Sequence, residues 1–98
     1  MFTVKHTSQF DEWLSNLKDP KVKGRLVARL RKVQLGNLGD VKPVGEGVFE
    51  MREHFGPGWR IYYTQRGKEI IILLGGGQKS TQNTDIAKAI KLAGSIED

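Results

Sequence analysis

The order of hydrophobic and polar residues predicts one strand, two helices, three strands and a last helix. Residues 2–6 alternate between apolar and polar, which predicts the first strand. Apolar residues then recur at helical spacing in two stretches, which Asp19 and Pro20 separate. The apolar face of the first helix is Phe10, Trp13, Leu14 and Leu17, and that of the second is Val22, Leu26, Leu30 and Val33. We expect these helices to form a hairpin across one face of a sheet.

The second half of the chain has the pattern of strands joined by tight turns. Residues 48–55 alternate, residues 59–64 are aromatic and branched, and residues 70–74 form an unbroken apolar run. Turns at 56–58 and 66–67 make these strands antiparallel neighbours. The run at 70–74 should be the central strand, because it is apolar on both faces. The apolar stripe of the last helix is Ile86, Ala89, Ile90 and Ala93.

These elements predict an α+β fold in the order β-α-α-β-β-β-α, with a small, mostly antiparallel sheet. A chain of 98 residues has room for one modest core, so we expect residues 1–98 to form a single domain. The first residues do not resemble a signal peptide, and no apolar run approaches the roughly 20 residues of a membrane span. We therefore expect a cytoplasmic protein without a membrane partner. The lack of cysteine excludes disulfides, thiolate zinc sites and a cysteine nucleophile.

The net charge of +5 favours a polyanionic partner, either nucleic acid or an acidic protein, over simple solubility. Part of this charge lies beside the buried face of the second helix, at helical spacing. These residues are either an RNA-binding surface or a solvated basic face. They are Lys21, Arg25, Arg29 and Lys32.

Strand alternation predicts which side chains of the sheet share a face. Glu50, Arg52 and His54 should point one way, and Phe49, Met51 and Phe55 the other. On the next strand Arg60 and Tyr62 should oppose Trp59, Ile61 and Tyr63, which we expect to pack against the helices. If the registers agree, Arg52, Arg60 and Lys79 converge on one concave surface suited to a phosphate. The alternative is that Arg52 pairs with Glu50 or Glu53 and that Arg60 lies on a solvated face.

Three glycines and Lys79-Ser80 follow the apolar run, which superficially resembles a phosphate-binding P-loop. The spacing G-x-x-x-x-G-K-[ST] fails, because Leu73 and Gln78 occupy the two glycine positions. The sequence therefore does not predict a nucleotide hydrolase. Residues 75–77 either let the backbone leave the sheet sharply or let a ligand approach closely.

Several side chains are candidates for proton transfer, and His54 is the best of them by its ordinary pKa. Glu50, Glu53, Tyr62 and Tyr63 are the others on the strands, whereas His6 should be structural. Tyr62 could also stack on a nucleobase. Two separated histidines without clustered carboxylates predict neither a metal site nor a cofactor.

The motifs VGEGVFEMR (44–52), GPGWRIYY (56–63) and LLGGGQKSTQ (73–82) together resemble the RelE/ParE superfamily of bacterial toxins. The similarity is greatest to its HigB-like branch, the phage Gp49-like addiction module killer proteins. Trp13-Leu14, GNLGD (36–40) and Asp85-Ile86 also match, so the resemblance covers nearly the whole chain. It implies a RelE-like fold, with a helical hairpin on one face of the sheet and a C-terminal helix.

The resemblance implies the toxin of a type II toxin–antitoxin system, and more specifically a ribosome-dependent endoribonuclease, an mRNA interferase that inhibits translation. In such enzymes the ribose 2′-OH attacks the adjacent phosphate without a metal. Arg52, Arg60 and Lys79 would bind that phosphate. Gln82 lies in the same motif as a further catalytic candidate, and Ser80 as an RNA contact. The partners implied are messenger RNA, the ribosome and a cognate antitoxin, often a helix-turn-helix protein, with an acidic or extended segment along the basic surface.

The sequence departs from the best-known members, because no tyrosine or histidine follows Leu74. Either Glu50 or His54 substitutes as the general base, or the reaction depends on positioning and charge. The departure also keeps two alternatives open. One is a ParE-like toxin that poisons DNA gyrase, and the other is a degenerate module that binds nucleic acid without chemistry.

Overall fold

The computed structural model describes residues 1–96, in which helices cover both faces of a five-stranded sheet. The elements are β1 (Thr3–His6), α1 (Ser8–Ser15), α2 (Pro20–Gln34), β2 (Val41–Gly45), β3 (Val48–Glu53), β4 (Trp59–Arg66), β5 (Ile70–Gln78), a 3₁₀ turn (Lys79–Thr81) and α3 (Gln82–Ser95). The α+β class is confirmed. None of these helices is long and apolar enough to cross a membrane.

Side-chain caps start both N-terminal helices. The Thr7 hydroxyl accepts the Phe10 N–H at 3.1 Å, and the Asp19 carboxylate accepts the Lys21 N–H at 2.9 Å. Pro20 occupies the first turn of α2, where its missing N–H has no helical partner to lose. These caps place the helical hairpin immediately after β1.

The strand order is β1-β5-β4-β3-β2, with only the β1–β5 pair parallel. The mostly antiparallel sheet is therefore confirmed, but the sequence analysis missed β2, and β4 rather than β5 is the central strand. β2 is an exposed edge strand interrupted by Pro43, so it lacks the apolar alternation of an interior strand. β5 is nevertheless buried on both faces, because Ile71 and Leu73 pack in the core on the α1–α2 face and Ile72 and Leu74 in the core on the α3 face.

The three glycines do not lead the chain out of the sheet, because β5 continues through them to Gln78. A bulge shifts the register, with Tyr63 opposite Leu73 but Tyr62 opposite Gly75. A Cβ on Gly76 would lie 2.4 Å from the Trp13 ring, and one on Gly77 2.0 Å from the Asp85 carboxylate. Gly76 and Gly77 thus leave room for the side chains of Trp13 and Asp85.

The two faces of the sheet have separate apolar cores, and the predicted faces of β3 and β4 are confirmed. The α1–α2 face contains Phe10, Leu26, Leu30, Val33, Met51, Trp59, Ile61, Tyr63, Ile71 and Leu73. The α3 face contains Val48, Tyr62, Ile72, Leu74, Ala89 and Ala93. Beyond α3, this second face carries the polar side chains of β3 and β4.

Candidate functional site

The predicted catalytic candidates line one open pocket of about 440 Å³ on the α3 face of the sheet. They are Arg52, Arg60, Lys79, Gln82, His54 and Glu50. The turn at residues 56–58 and Lys42 from β2 complete its wall. The expected convergence of Arg52, Arg60 and Lys79 is therefore present.

Strand register explains why these side chains meet. Arg52 lies directly opposite Arg60, so their side chains share a face of neighbouring strands. The Lys79 N–H donates to the Gly58 carbonyl at 2.8 Å, which ties the end of β5 to the turn before β4. Gly58 has φ of 81°, a backbone conformation that favours glycine, and a Cβ there would lie 3.3 Å from the Lys79 Cβ.

Arg60 is a buried cation with an unused hydrogen-bond donor. Its side chain is 6% exposed, and its Nη1 donates to the Trp59 carbonyl at 2.9 Å. Its Nε is 3.8 Å from the Glu50 carboxylate, too far for a hydrogen bond, and has no other acceptor within residues 1–96. Arg60 is thus not on a solvated face, and an anion in the pocket could satisfy this N–H.

Glu50 is buried beside Arg60 and orients a further candidate. Its carboxylate accepts a hydrogen bond from the Gln82 side-chain amide at 2.8 Å. This contact links β3 to the first residue of α3 and fixes Gln82 at the pocket wall. Because Glu50 is 1% exposed and already bonded, it has little freedom to reach a substrate.

Asp40 holds Arg52 and His54 together at the pocket rim. One carboxylate oxygen lies 2.8 Å from Arg52 Nη2, and the other lies 2.7 Å from His54 Nε2. The hydrogen bond from Arg52, followed by that from His54, lowers the pKa of Asp40 from 3.8 to about 2. The same contact with Asp40 raises the pKa of Arg52.

The sequence analysis missed Asp40 and offered Glu50 or Glu53 as the partner of Arg52. Asp40 lies in the loop before β2, and alternation along a strand says nothing about a loop residue. The only sequence signal for Asp40 was the loop motif GNLGD (36–40), which is one of the motifs that resemble the toxin family.

The prediction of Arg29 as an exposed RNA contact is wrong, because Arg29 is 7% exposed and structural. Its guanidinium donates to the carbonyl groups of Leu38 and Asp40, each at 2.8 Å, and of Arg52 at 2.9 Å. It also pairs with the Glu53 carboxylate. These hydrogen bonds take the place of those that water would make to the buried guanidinium, and they fix the loop that carries Asp40.

The other predicted RNA contacts differ in their positions. Lys21, Arg25 and Lys32 are exposed on α2, across the sheet from the pocket, and the Arg25 guanidinium lies 3.9 Å from the Phe55 ring centre. Ser80 is exposed beside Lys79. Tyr62 shares the face of Arg60 as predicted, but at 1% exposure its ring is covered and not open for stacking. The structure thus brings none of the α2 cations to the pocket.

The part of the chain that the structure describes has no group of three or more histidine, aspartate or glutamate side chains that could hold a metal ion. The pocket itself offers the cations, the carboxylate of Glu50 and His54, with Asp40 bonded to His54 from outside the lining.

Comparisons with known proteins agree with this architecture. The family described as "Phage derived protein Gp49-like" matches residues 12–95. An uncharacterised protein of Haemophilus influenzae is 46% identical over 90 residues, which are 92% of this chain and 91% of that protein.

Two solved structures are similar at lower sequence identity. One is a chain of the toxin–antitoxin complex RelBE2 from Mycobacterium tuberculosis, with a TM-score of 0.58 and 20% identity over 80% of this chain and 98% of that one. The other is the conserved hypothetical protein HP0892 from Helicobacter pylori, with a TM-score of 0.48 and 21% identity over 84% and 99% of the two chains. The likeness to the RelBE2 chain shows the fold.

Proposed function

The chain belongs to the phage-derived Gp49-like family, and we propose that it is a toxin of the RelE/ParE superfamily that cleaves messenger RNA on the ribosome. The observation that carries this proposal is the open pocket in which a buried Arg60 has an N–H without an acceptor, flanked by Arg52 and Lys79. Three cations around one cavity, one of them already desolvated, suit an RNA phosphate better than a neutral ligand.

In the proposed reaction the ribose 2′-OH attacks the neighbouring phosphorus. The new P–O bond forms as the bond to the 5′ oxygen breaks, which yields a 2′,3′-cyclic phosphate and a 5′-hydroxyl. Arg60, Arg52 and Lys79 stabilise the extra negative charge that the phosphoryl oxygens carry in the transition state. One proton must leave the 2′-OH, and one must reach the departing 5′ oxygen.

We propose His54 as the group that takes the proton from the 2′-OH, with Asp40 as its positioning residue. Asp40 accepts the hydrogen bond from Nε2 of His54, which leaves Nδ1 as the free basic nitrogen. Glu50 is the weaker candidate, because its carboxylate already accepts a hydrogen bond from Gln82 and lies beside the Arg60 guanidinium. The histidine would thereby replace the residue that better-known relatives carry after the last strand.

The test is cell-free translation of a defined message with the purified protein, read by primer extension. We expect discrete cuts that require ribosomes. Arg60→Ala should reduce the cleavage rate by about 10²–10³-fold, the usual effect of losing one transition-state donor. Lys79→Ala, at an exposed position, should reduce it without loss of folding, while Lys18→Ala outside the pocket is the matched control.

The proton-transfer step has its own readout in the split between kcat and KM. His54→Ala should lower kcat by about 10²–10⁴-fold, the usual contribution of a positioned general base, with little change in KM. Asp40→Asn should lower kcat with little change in KM, because it misorients the base. An unchanged kcat in His54→Ala would exclude His54 as the base.

An intact message with normal translation would overturn the nuclease proposal. Inhibition of gyrase supercoiling under those conditions would favour the ParE-like alternative, and RNA binding without cleavage would favour the degenerate module. As a further part of the proposal, the protein acts in the cytoplasm and is neutralised by a cognate antitoxin, as the pairing in the RelBE2 complex suggests.

A further inference from the structure

A second groove, of about 610 Å³, lies between α1 and α3 and shares no lining residue with the phosphate pocket. Trp13 from α1 forms one wall, and Ala89 and Leu92 from α3 form the other. Leu74 and Gly75 of β5 form part of the floor. The groove is therefore an apolar site distinct from the proposed catalytic pocket.

The Tyr62 side chain lines this groove and has a polar atom without a partner. The residue is 1% exposed, and its hydroxyl has no hydrogen-bond partner among residues 1–96. Burial raises the pKa of Tyr62 well above its usual value, so the group stays a protonated donor. An unpaired buried hydroxyl is unfavourable, and an acceptor supplied by an occupant of the groove would satisfy it.

Gly75 leaves space in the groove that the chain does not fill. A Cβ at this position would meet nothing within 4 Å, whereas Cβ atoms at Gly76 and Gly77 would collide with Trp13 and Asp85. Gly75 is not among the residues with positive φ, so its backbone accepts other amino acids. The Cβ of a residue substituted here would therefore meet no atom of the chain.

The charges along the groove indicate which charges a bound segment should carry. Lys88 and Lys91 are exposed on the α3 wall, and neither has a carboxylate partner within residues 1–96. The Asp85 carboxylate is held by the Thr81 hydroxyl at 2.6 Å. Glu12 is the acidic residue on the α1 wall. An occupant with acidic side chains is therefore favoured on the α3 side.

We propose that this groove receives an apolar, acidic segment of the antitoxin, with an acceptor placed at the Tyr62 hydroxyl and carboxylates facing Lys88 and Lys91. The identity of the partner rests on the proposed function, whereas the chemistry of the segment rests on the groove. This surface differs from the basic one along which the sequence alone led us to expect the antitoxin. The antitoxin would thus have an anchor outside the pocket that binds RNA.

The experiment is calorimetric titration of the protein encoded beside this chain, as the antitoxin, into purified variants. Gly75→Val and the pair Lys88→Glu with Lys91→Glu should each weaken binding at least tenfold. Lys18→Glu with Lys68→Glu changes the net charge equally at exposed sites outside the groove and should leave the affinity unchanged. Tyr62→Phe should weaken binding while the Tm of the free protein stays equal or rises, which a purely structural role would not produce.

Unchanged affinity in the groove variants would overturn the proposal, and so would weakened binding in Arg60→Ala alone. A change of oligomeric state in Gly75→Val would instead make the groove a contact between copies of this chain. No binding by the wild type would overturn the antitoxin as occupant. These outcomes are independent of RNA cleavage, so failure of the nuclease proposal is recognised separately.

Discussion

Replacement of Gly76 by alanine tests whether the glycines of β5 serve packing within the chain. A Cβ at this position would lie 2.4 Å from the Trp13 ring, whose edge is pressed between α1 and β5. A rigid indole cannot move aside as the end of a flexible side chain can. Gly76→Ala should therefore behave as an overpacked core and lower the free energy of unfolding by about 1–3 kcal/mol.

The neighbouring Gly75 provides a matched control in the same strand. Nothing lies within 4 Å of its would-be Cβ, so Gly75→Ala introduces no clash. Alanine restricts the unfolded chain more than glycine does, and the substitution should stabilise the protein by about 0.4–1 kcal/mol. We therefore expect Gly75→Ala to raise the free energy of unfolding and Gly76→Ala to lower it.

The assay is urea and thermal unfolding followed by circular dichroism. For a domain of this size each kcal/mol shifts the Tm by about 4–8 °C, so the two variants should separate clearly. Trp13→Leu should relieve the clash, and a double-mutant cycle should show coupling of about 0.5–3 kcal/mol between residues 13 and 76. Equal midpoints for Gly75→Ala and Gly76→Ala would refute the packing argument.

Two further predictions concern the loop that carries Asp40. Arg29→Ala should lower the free energy of unfolding in urea by about 3–5 kcal/mol, since it removes a buried cation from Glu53 and three carbonyl groups; Arg29→Lys should restore little, and a loss below 1 kcal/mol would contradict the structural role. The Asp40 carboxylate has a pKa lowered from 3.8 to about 2, so its contribution to stability is present above pH 3.8 and is lost as the pH falls towards 2. The Tm difference between wild type and Asp40→Asn should therefore shrink over this interval, and a constant difference would contradict the assignment.

The sequence predicts the positions of Arg52 and Arg60 well for a physical reason. Side chains alternate with a period of two along a strand, and a short turn leaves few possible registers between its strands. The polar set and the apolar set of β3 and β4 therefore fall on opposite faces whatever the surrounding packing. The bulge at Leu74 and the edge strand β2 escaped prediction, because both depend on the neighbouring strand rather than on local pattern.

The role of Arg29 could have been found in the sequence, unlike that of Asp40. Arg29 lies three residues after Leu26 and four before Val33, within the stripe that buries α2. The prediction that Arg29 is exposed took account of its positive charge but not of its position within this stripe. Asp40 lies in a loop 12 residues before Arg52 on β3 and 14 before His54 just after β3, and no periodicity relates such positions.

The parallel pair of β1 and β5 has a consequence for how the nascent chain folds. It joins Thr3 to Ile70, whereas the strands β2 to β5 pair with their neighbours in sequence. Contacts between residues distant in sequence form late, because closing a long loop loses conformational entropy before the contact stabilises the chain. Gln82, the last residue in sequence that lines the pocket around Arg60, leaves the ribosome later still. A ribosome synthesising this chain therefore completes nearly all of it before the product has a complete pocket.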